Sequence, residues 1–398
     1  VELLFVENAP GFGGSLTGIL HLVDALPLWV NPTLICGFDP RGMTDIPARL
    51  RVEVVPIDMS QTNRQPGDNF SRALYRFVRH NTWPWARQIE RVARKYGSTL
   101  IHANNLLTGN FGAAVAGWRL GIPVLSHQKG YEHSGKLTRW IIDRGWYTHH
   151  IATSHAIAEH LLDLGVPAPK VTMIYDAIVP PHPEPQRQNN DIPVVAMHSV
   201  LRESKGQDIF LRALARVAER NRRPFRAIIA GGPPQPSAYP EQLRSLASEL
   251  GIADRVEFTG HLRDPFPLLA RVDLSVHASV EPEPFGRVAA ESMLMGVPVI
   301  AAAGSGAAEY VEQAQAGLST PPRDVEALAR AIEDLLVNDD LRRDLAERGR
   351  SYARREFAPT AIARQLVALY EDVVAGRRHE ATVAERSSNP SRQPIAMS

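Results

Sequence analysis

Short apolar runs alternate with helical patterns along this chain, and the alternation happens twice. The first series contains the strand-like runs "ELLFVE", "PTLICGF", "RVEVVPI", "TLIHA", "PVLSHQ" and "HIATS", with helical stretches such as "SLTGILHLVDALP" and "LTGNFGAAVAGWRLG" between them. The second of those helices ends at Gly121 and Pro123, an ordinary stop signal. The second series reads "PVVAMHSV", "FRAIIAGG", "RVEFTG", "DLSVHAS" and "VPVIAAA", again with helices between. Strands that are apolar throughout and separated by helices build parallel sheets covered on both faces. Between the two series lies "IVPPHPEPQRQNND", which is Pro-rich, polar and aperiodic and reads as a linker.

The expected fold is α/β, with two doubly wound Rossmann-like domains facing across a cleft. The boundaries read as 1–178 for the N-terminal domain, 179–191 for the linker and 192–355 for the C-terminal domain. Residues 356–376 form a C-terminal helix that packs back on the first domain, and 377–398 a polar, disordered tail. Ligands of such sheets lie at the C-terminal ends of the strands, here in the cleft.

Composition removes several classes of function. A chain of 398 residues exceeds what a single core usually serves. Formal net charge is +1, so no global field points to nucleic acid as a partner. The one cysteine, Cys36, sits in an apolar run and reads as a small buried hydrophobe, which fits a reducing compartment. No apolar run reaches the ~18 residues that a bilayer span needs. The opening "VELLFVENAP" has no basic leader and reads as a first strand, so a cytoplasmic location is expected.

Charge is scarce in "EPEPFGRVAAESMLMGVPVIAAAGSGAAE", yet Glu283 and Glu291 stand eight apart there. Pro284 biases Glu283 towards an extended loop, and a helix starts near Gly286 or Arg287. Eight helical residues would rise about 12 Å, whereas a retaining glycosidase holds its two carboxyls about 5–5.5 Å apart. The spacing therefore argues for two carboxylates gripping different parts of one long ligand. A plainer reading stays open, in which Glu291 pairs with Arg287 along the helix and Glu283 is loop surface.

Three further stretches follow strands. In "LRESKGQDIFLRAL", Arg202 and Lys205 precede a helix start, where free N–H groups and the dipole favour phosphate; solvated surface charge is the alternative. Gly11, Gly13 and Gly14 lie between the first strand and a helix, where backbone can approach a phosphate, or simply turn. Leu16 replaces the third glycine of the dinucleotide fingerprint, and no Walker lysine follows. His127 ends "PVLSH" and is a ligand contact or a structural histidine; His102, ending "TLIH", is a weaker candidate.

In these residues the chain resembles retaining glycosyltransferases of the GT-B fold, specifically glycosyltransferase family 4, up to about residue 376. "EPFGRVAAE" looks like that family's Glu-x7-Glu signature, supported by "SKGQDIFLRAL", "IIAGGP", "RVEFTG" and "GVPVIAA". The resemblance implies that Glu283 contacts the donor sugar, that the Phe285 and Gly286 amides hold sugar or phosphate oxygens, and that Glu291 binds the ribose. It implies that Arg202 and Lys205 hold the diphosphate, that Gly13 and Gly14 close on it, and that His127 lies beside the sugar. Glu283 and His127 are then the catalytic candidates. The family's usual Gly-Arg-Leu is Ser199-Val200-Leu201 here, which leaves Arg202 to substitute for the arginine. No Asp-x-Asp occurs, so no metal site is expected, and no cofactor beyond a nucleotide-sugar co-substrate, UDP-sugar favoured over GDP-sugar.

The acceptor implied is a glycan or a lipid-linked glycan, in surface polysaccharide or glycoconjugate synthesis. Residues 70–96 are basic, with Glu90 the only acid, and carry Tyr75, Phe77, Trp83 and Trp85. Such a segment lies on an anionic membrane surface, or turns its apolar stripe to the core and its basic back to water. Two other classes remain open: an enzyme like a UDP-sugar 2-epimerase, and a non-catalytic nucleotide-sugar binding protein.

Overall fold

The computed structural model describes residues 1–9, 11, 13–55, 70–220, 224–233 and 235–376. The tail expected at 377–398 lies outside the described residues. Seven strands form the first sheet: β1 (Glu2–Glu7), β2 (Asn31–Cys36), β3 (Arg51–Val54), β4 (Leu100–Asn104), β5 (Val124–Gln128), β6 (His149–Ala152) and β7 (Val171–Met173). Their order is β3-β2-β1-β4-β5-β6-β7, and every neighbouring pair is parallel. The second sheet contains β8 (Val194–His198), β9 (Arg226–Ala230), β10 (Val256–Gly260), β11 (Leu274–His277), β12 (Val299–Ala302) and β13 (Gly317–Thr320). It is also wholly parallel, in the order β10-β9-β8-β11-β12-β13.

This is the doubly wound pair that the alternation predicts. Strands β4, β5, β6, β8 and β12 are buried along their whole length, because helices cover both faces. Two strands escape the sequence reading. β7, "VTM", and β13, "GLST", are edge strands of three and four residues without an apolar run to announce them.

Each sheet reverses its order once, between β1 and β4 and between β8 and β11. Loops diverge at such switch points and leave a crevice beyond the strand ends. The segment 179–191 has no regular structure, yet it is fastened down: Arg187 donates to the carbonyl of Leu269 at 2.9 Å and Asn190 to Asp273 at 2.8 Å. The last helix, Pro359–Val374, returns to the first domain, where Tyr370 meets His102 at 2.7 Å. The domains also share one apolar core. Tyr175, just after β7, packs on Phe285, Tyr310 and Phe357 with ring centroids 5.9, 6.2 and 5.3 Å away.

Candidate active site

Two neighbouring loops of the second domain meet beyond the ends of β8 and β11. Gly206 has φ +75°, and a Cβ there would stand 2.2 Å from the carbonyl oxygen of Ala278. Only glycine lets the Arg202–Gly206 loop seat so closely on the chain leaving β11. Val280 N–H donates to the Ser204 carbonyl at 2.9 Å and completes the seam. That seam brings Lys205 to Glu283: Lys205 Nζ donates to Glu283 Oε2, and Ser279 Oγ donates to the same oxygen at 3.1 Å. His277 Nε2 stands 3.6 Å from it, beyond a hydrogen bond. Burial opposes the charge on Glu283, but His277 and Lys205 outweigh burial and hold the carboxyl well below the usual range.

Glu291 belongs to the following helix, Arg287–Leu294. Gly286 enters it at φ +82°, where a Cβ would lie 2.7 Å from that of Ala307; its carbonyl accepts from Tyr310 Oη at 2.7 Å. The Phe285 side chain points away from the cleft into the shared aromatic core and is 4% exposed, which leaves only its backbone at the surface of the site. Arg287 Nη2 donates to Glu291 Oε1 at 3.4 Å, and His198 Nε2 lies 3.6 Å from Oε2. Burial again opposes charge on Glu291, and His198 and Arg287 again reverse it, so this carboxyl too is lowered.

The first domain supplies the opposite wall. Gly13 precedes the helix Gly14–Val23 in extended backbone, with open space where its Cβ would be, and a Cβ on Gly14 would touch the Arg287 Cδ at 3.1 Å. Glu7, at the end of β1, anchors the start of this loop. It accepts from Ala9 N–H at 2.9 Å and from the amides of Asn104 and Asn105, and burial pushes its pKa up. Asn104 also donates to the Ser15 carbonyl at 3.1 Å, which ties the first helical turn to β4.

Beneath the loop runs a buried polar chain. Lys129 is ion-paired with Asp176 and contacts His127 Nε2 at 3.0 Å; His127 Nδ1 lies 2.9 Å from His102 Nε2, and His102 Nδ1 2.7 Å from Tyr370 Oη. An ammonium can only donate, so His127 Nε2 accepts and Nδ1 carries the hydrogen passed on to His102. His102 then donates from Nδ1 to Tyr370. Burial and the nearby Lys129 push His102 down to about 3 and His127 well below its ordinary value, so both rings are neutral. His102, His127, Lys129 and Asp176 border a small cavity closed by Ile362 and Leu366 of the last helix.

The expected site residues therefore divide. Lys205, Glu283, Gly286 and Glu291 gather on one wall, with Gly14 opposite, packed against the Arg287 side chain of that wall. Arg202 is exposed, and its side chain has no hydrogen bond or ion pair among the described residues. His127 is buried, with both ring nitrogens engaged by protein. The helical pair Arg287–Glu291 that the plainer reading anticipates is present as well. Sequence reasoning did not single out His198, His277, Glu7, Lys129 or Asp176. Three of them end strands at the switch points, and polar residues closing apolar runs are the signal that would have found them.

Two parallel, doubly wound domains with a charged cleft at both switch points constitute the GT-B architecture. Residues 12–180 match the family model described as Glycosyltransferase Family 4, and residues 180–352 that of Glycosyl transferases group 1. The chain is a GT-B-fold protein related to the glycosyltransferases of these two families. Among individual relatives, it is similar to the D-inositol 3-phosphate glycosyltransferase of Corynebacterium glutamicum, 36% identical over 46% of this chain and 44% of that protein. It is also similar to the lipopolysaccharide core biosynthesis glycosyltransferase LpsE of Rhizobium meliloti, 33% identical over 43% of this chain and 48% of that one. The chain thus spans about half the length of the curated relatives it matches. Among solved structures, Anabaena HepE in complex with UDP superposes with a TM-score of 0.76 at 22% identity, over 94% of this chain and 100% of that one. At that identity the likeness is one of fold.

Proposed function

We propose that the protein is a retaining glycosyltransferase. It moves a sugar from a nucleotide-diphosphate donor, a UDP-sugar by preference, to a glycan or lipid-linked acceptor in surface polysaccharide or glycoconjugate synthesis. One observation carries this reading: two carboxylates, Glu283 on a loop and Glu291 one turn into the next helix, line one wall of the cleft, each beside a cation. In this reading Glu291 takes the ribose hydroxyls, Glu283 the donor sugar, and the Phe285 and Gly286 amides the oxygens between them. Lys205 and the helix start at Gly286 neutralise the leaving diphosphate without a metal. The UDP bound by Anabaena HepE supports the choice of nucleotide.

In the reaction, the bond from the anomeric carbon to the phosphate oxygen breaks while the acceptor oxygen bonds to the same face of that carbon. The acceptor proton passes to the departing phosphate oxygen, so no protein nucleophile is needed. Gly13 and Gly14 close over the diphosphate from the first domain. His127, neutral and buried, positions the floor of that wall and reaches the sugar only if Lys129 yields its Nε2.

A peripheral site of action at the cytoplasmic face of a membrane fits the first domain. No helix among the described residues is long and apolar enough to cross a bilayer. The helix Trp83–Tyr96 buries Trp85, Ile89 and Val92 and leaves Trp83, Arg87, Arg91 and Arg94 outside. Trp118, 71% exposed, and Trp140 extend this surface, with Arg119 4.9 Å from the Trp83 ring centroid and Arg144 5.6 Å from that of Trp140. Interfacial tryptophan beside arginine suits anionic headgroups.

The test is UDP release from UDP-sugars with and without acceptor glycans and lipid-linked glycans, with the anomeric configuration of donor and product compared by NMR. Acceptor-dependent release with configuration retained is expected, and unchanged in EDTA. Formation of a 2-epimer of the sugar would reassign the protein as an epimerase, and binding without turnover as a sensor.

A further inference from the structure

The cleft contains a cation that the motif does not assign. Arg287 is the first residue of its helix, and its side chain reaches across to the first domain: Nη1 donates to the Ala177 carbonyl at 3.3 Å, and Cδ packs against Gly14. Its two hydrogen bonds, 3.3 and 3.4 Å, are both longer than the usual 2.7–3.2 Å range and hold the guanidinium loosely. The Arg202 side chain, by contrast, stands exposed without a partner among the described residues.

We propose that Arg287, rather than Arg202, is the guanidinium that grips the diphosphate, and that it does so by exchanging Glu291 for phosphate. This rests on the nucleotide-sugar reading above and names a residue within it. A nucleotide laid along the helix puts its diphosphate at the positive N-terminal end, where Arg287 sits. Its ribose then lies one turn further on, about 6 Å along the axis, where Glu291 sits. Phosphate offers the guanidinium a two-pronged acceptor in place of one distant carboxylate oxygen. The ribose hydroxyls offer Glu291 donors in place of Arg287. Each charge keeps a partner throughout, so neither is left buried and unpaired during the exchange. Because Arg287 also touches Gly14, the same movement couples phosphate binding to the first domain.

The experiment compares UDP and uridine on the full chain, by calorimetry for UDP and ligand-observed NMR for uridine. Arg287→Gln should weaken UDP about tenfold or more, the usual effect of losing a charge-assisted hydrogen bond, and leave uridine within about twofold. Arg287→Lys should recover part of the UDP affinity, since it restores charge without the fork. Arg202→Gln should lose less UDP affinity than Arg287→Gln. UDP affinity unchanged in Arg287→Gln, or UDP and uridine weakened alike, would overturn the proposal. Should Arg287→Gln not fold, Arg287→Lys decides: a several-fold loss confined to UDP supports the assignment, and wild-type UDP affinity overturns it. A wild-type protein that binds neither UDP nor GDP overturns the nucleotide-sugar reading itself, an outcome visible before any variant is made.

Discussion

Glu309 of the second domain caps a helix of the first: its Oε1 accepts the N–H of His155 at 3.0 Å and its Oε2 that of Ala156 at 3.2 Å. These are the first two residues of the helix His155–Asp163, and Ser154 Oγ takes the third N–H, from Ile157, at 3.2 Å. The first two free donors of the helix start are thus satisfied from the other domain, and the third from within its own. Tyr175 Oη adds a longer bond to Glu309, at 3.4 Å.

Glu309→Ala should therefore loosen the two domains from one another. Loss of a cap costs about 0.5–2 kcal/mol, and the carboxylate removed here serves two donors. The expected result is a melting temperature several degrees lower and faster amide exchange at His155 and Ala156, with exchange in β1 and β8 unchanged. Uniform exchange across both sheets would assign Glu309 to general packing instead.

The two cleft glutamates should separate by role. Glu291→Ala should weaken free UDP and the intact donor together, by roughly tenfold or more, because the ribose is common to both. Glu283→Ala should leave free UDP no weaker than in the wild type, since it frees Lys205 for phosphate. Turnover should nevertheless fall on the order of 10²-fold if its contact tightens in the transition state. Equal loss of UDP affinity in both variants would contradict this division.

Acid should destabilise the protein from about pH 6.5 downward. His21, His102 and His150 are held at about 4, 3 and 3, in each case chiefly by burial. Between those values and the unfolded value of about 6.5, the unfolded chain binds protons that the folded chain refuses. Their contribution is therefore complete above pH 6.5 and declines as pH falls. Glu7, whose carboxyl burial pushes up, takes a proton first in the folded state and offsets part of the loss. Melting temperatures between pH 7.5 and 4.5 should fall steadily, and a flat profile would mean that these imidazoles are accessible.

The tryptophan and arginine face should bind vesicles of anionic lipid in low salt and release them in high salt, because surface charge is screened within about 8–10 Å. Trp118→Ala combined with Arg119→Ala should reduce co-sedimentation several-fold without changing UDP affinity. Equal binding to neutral and anionic vesicles would remove the electrostatic part of this reading.

Much of the fold is encoded in short-range pattern. Apolar runs of five or six residues between helical periods specify parallel strands, and a Pro-rich break separates two series of them. The loop after each strand could then be assigned to a common crevice, and the spacing of Glu283 and Glu291 separated them along a loop and a helix. Arg287 with Glu291 was legible too, since four residues on a helix are neighbours by geometry alone. Which distant charges meet is set by how the elements pack. Lys205 and Glu283 are 78 residues apart, and Glu309 and His155 154 apart. The buried chain from Lys129 to Tyr370 draws on two strands, a loop and the last helix. β7 and β13 were illegible for a related reason: three or four residues at a sheet edge take their conformation from the strand beside them. Periodicity records which face of an element is buried, but the partner across that face is chosen by how whole elements pack, and packing leaves no local mark on either residue.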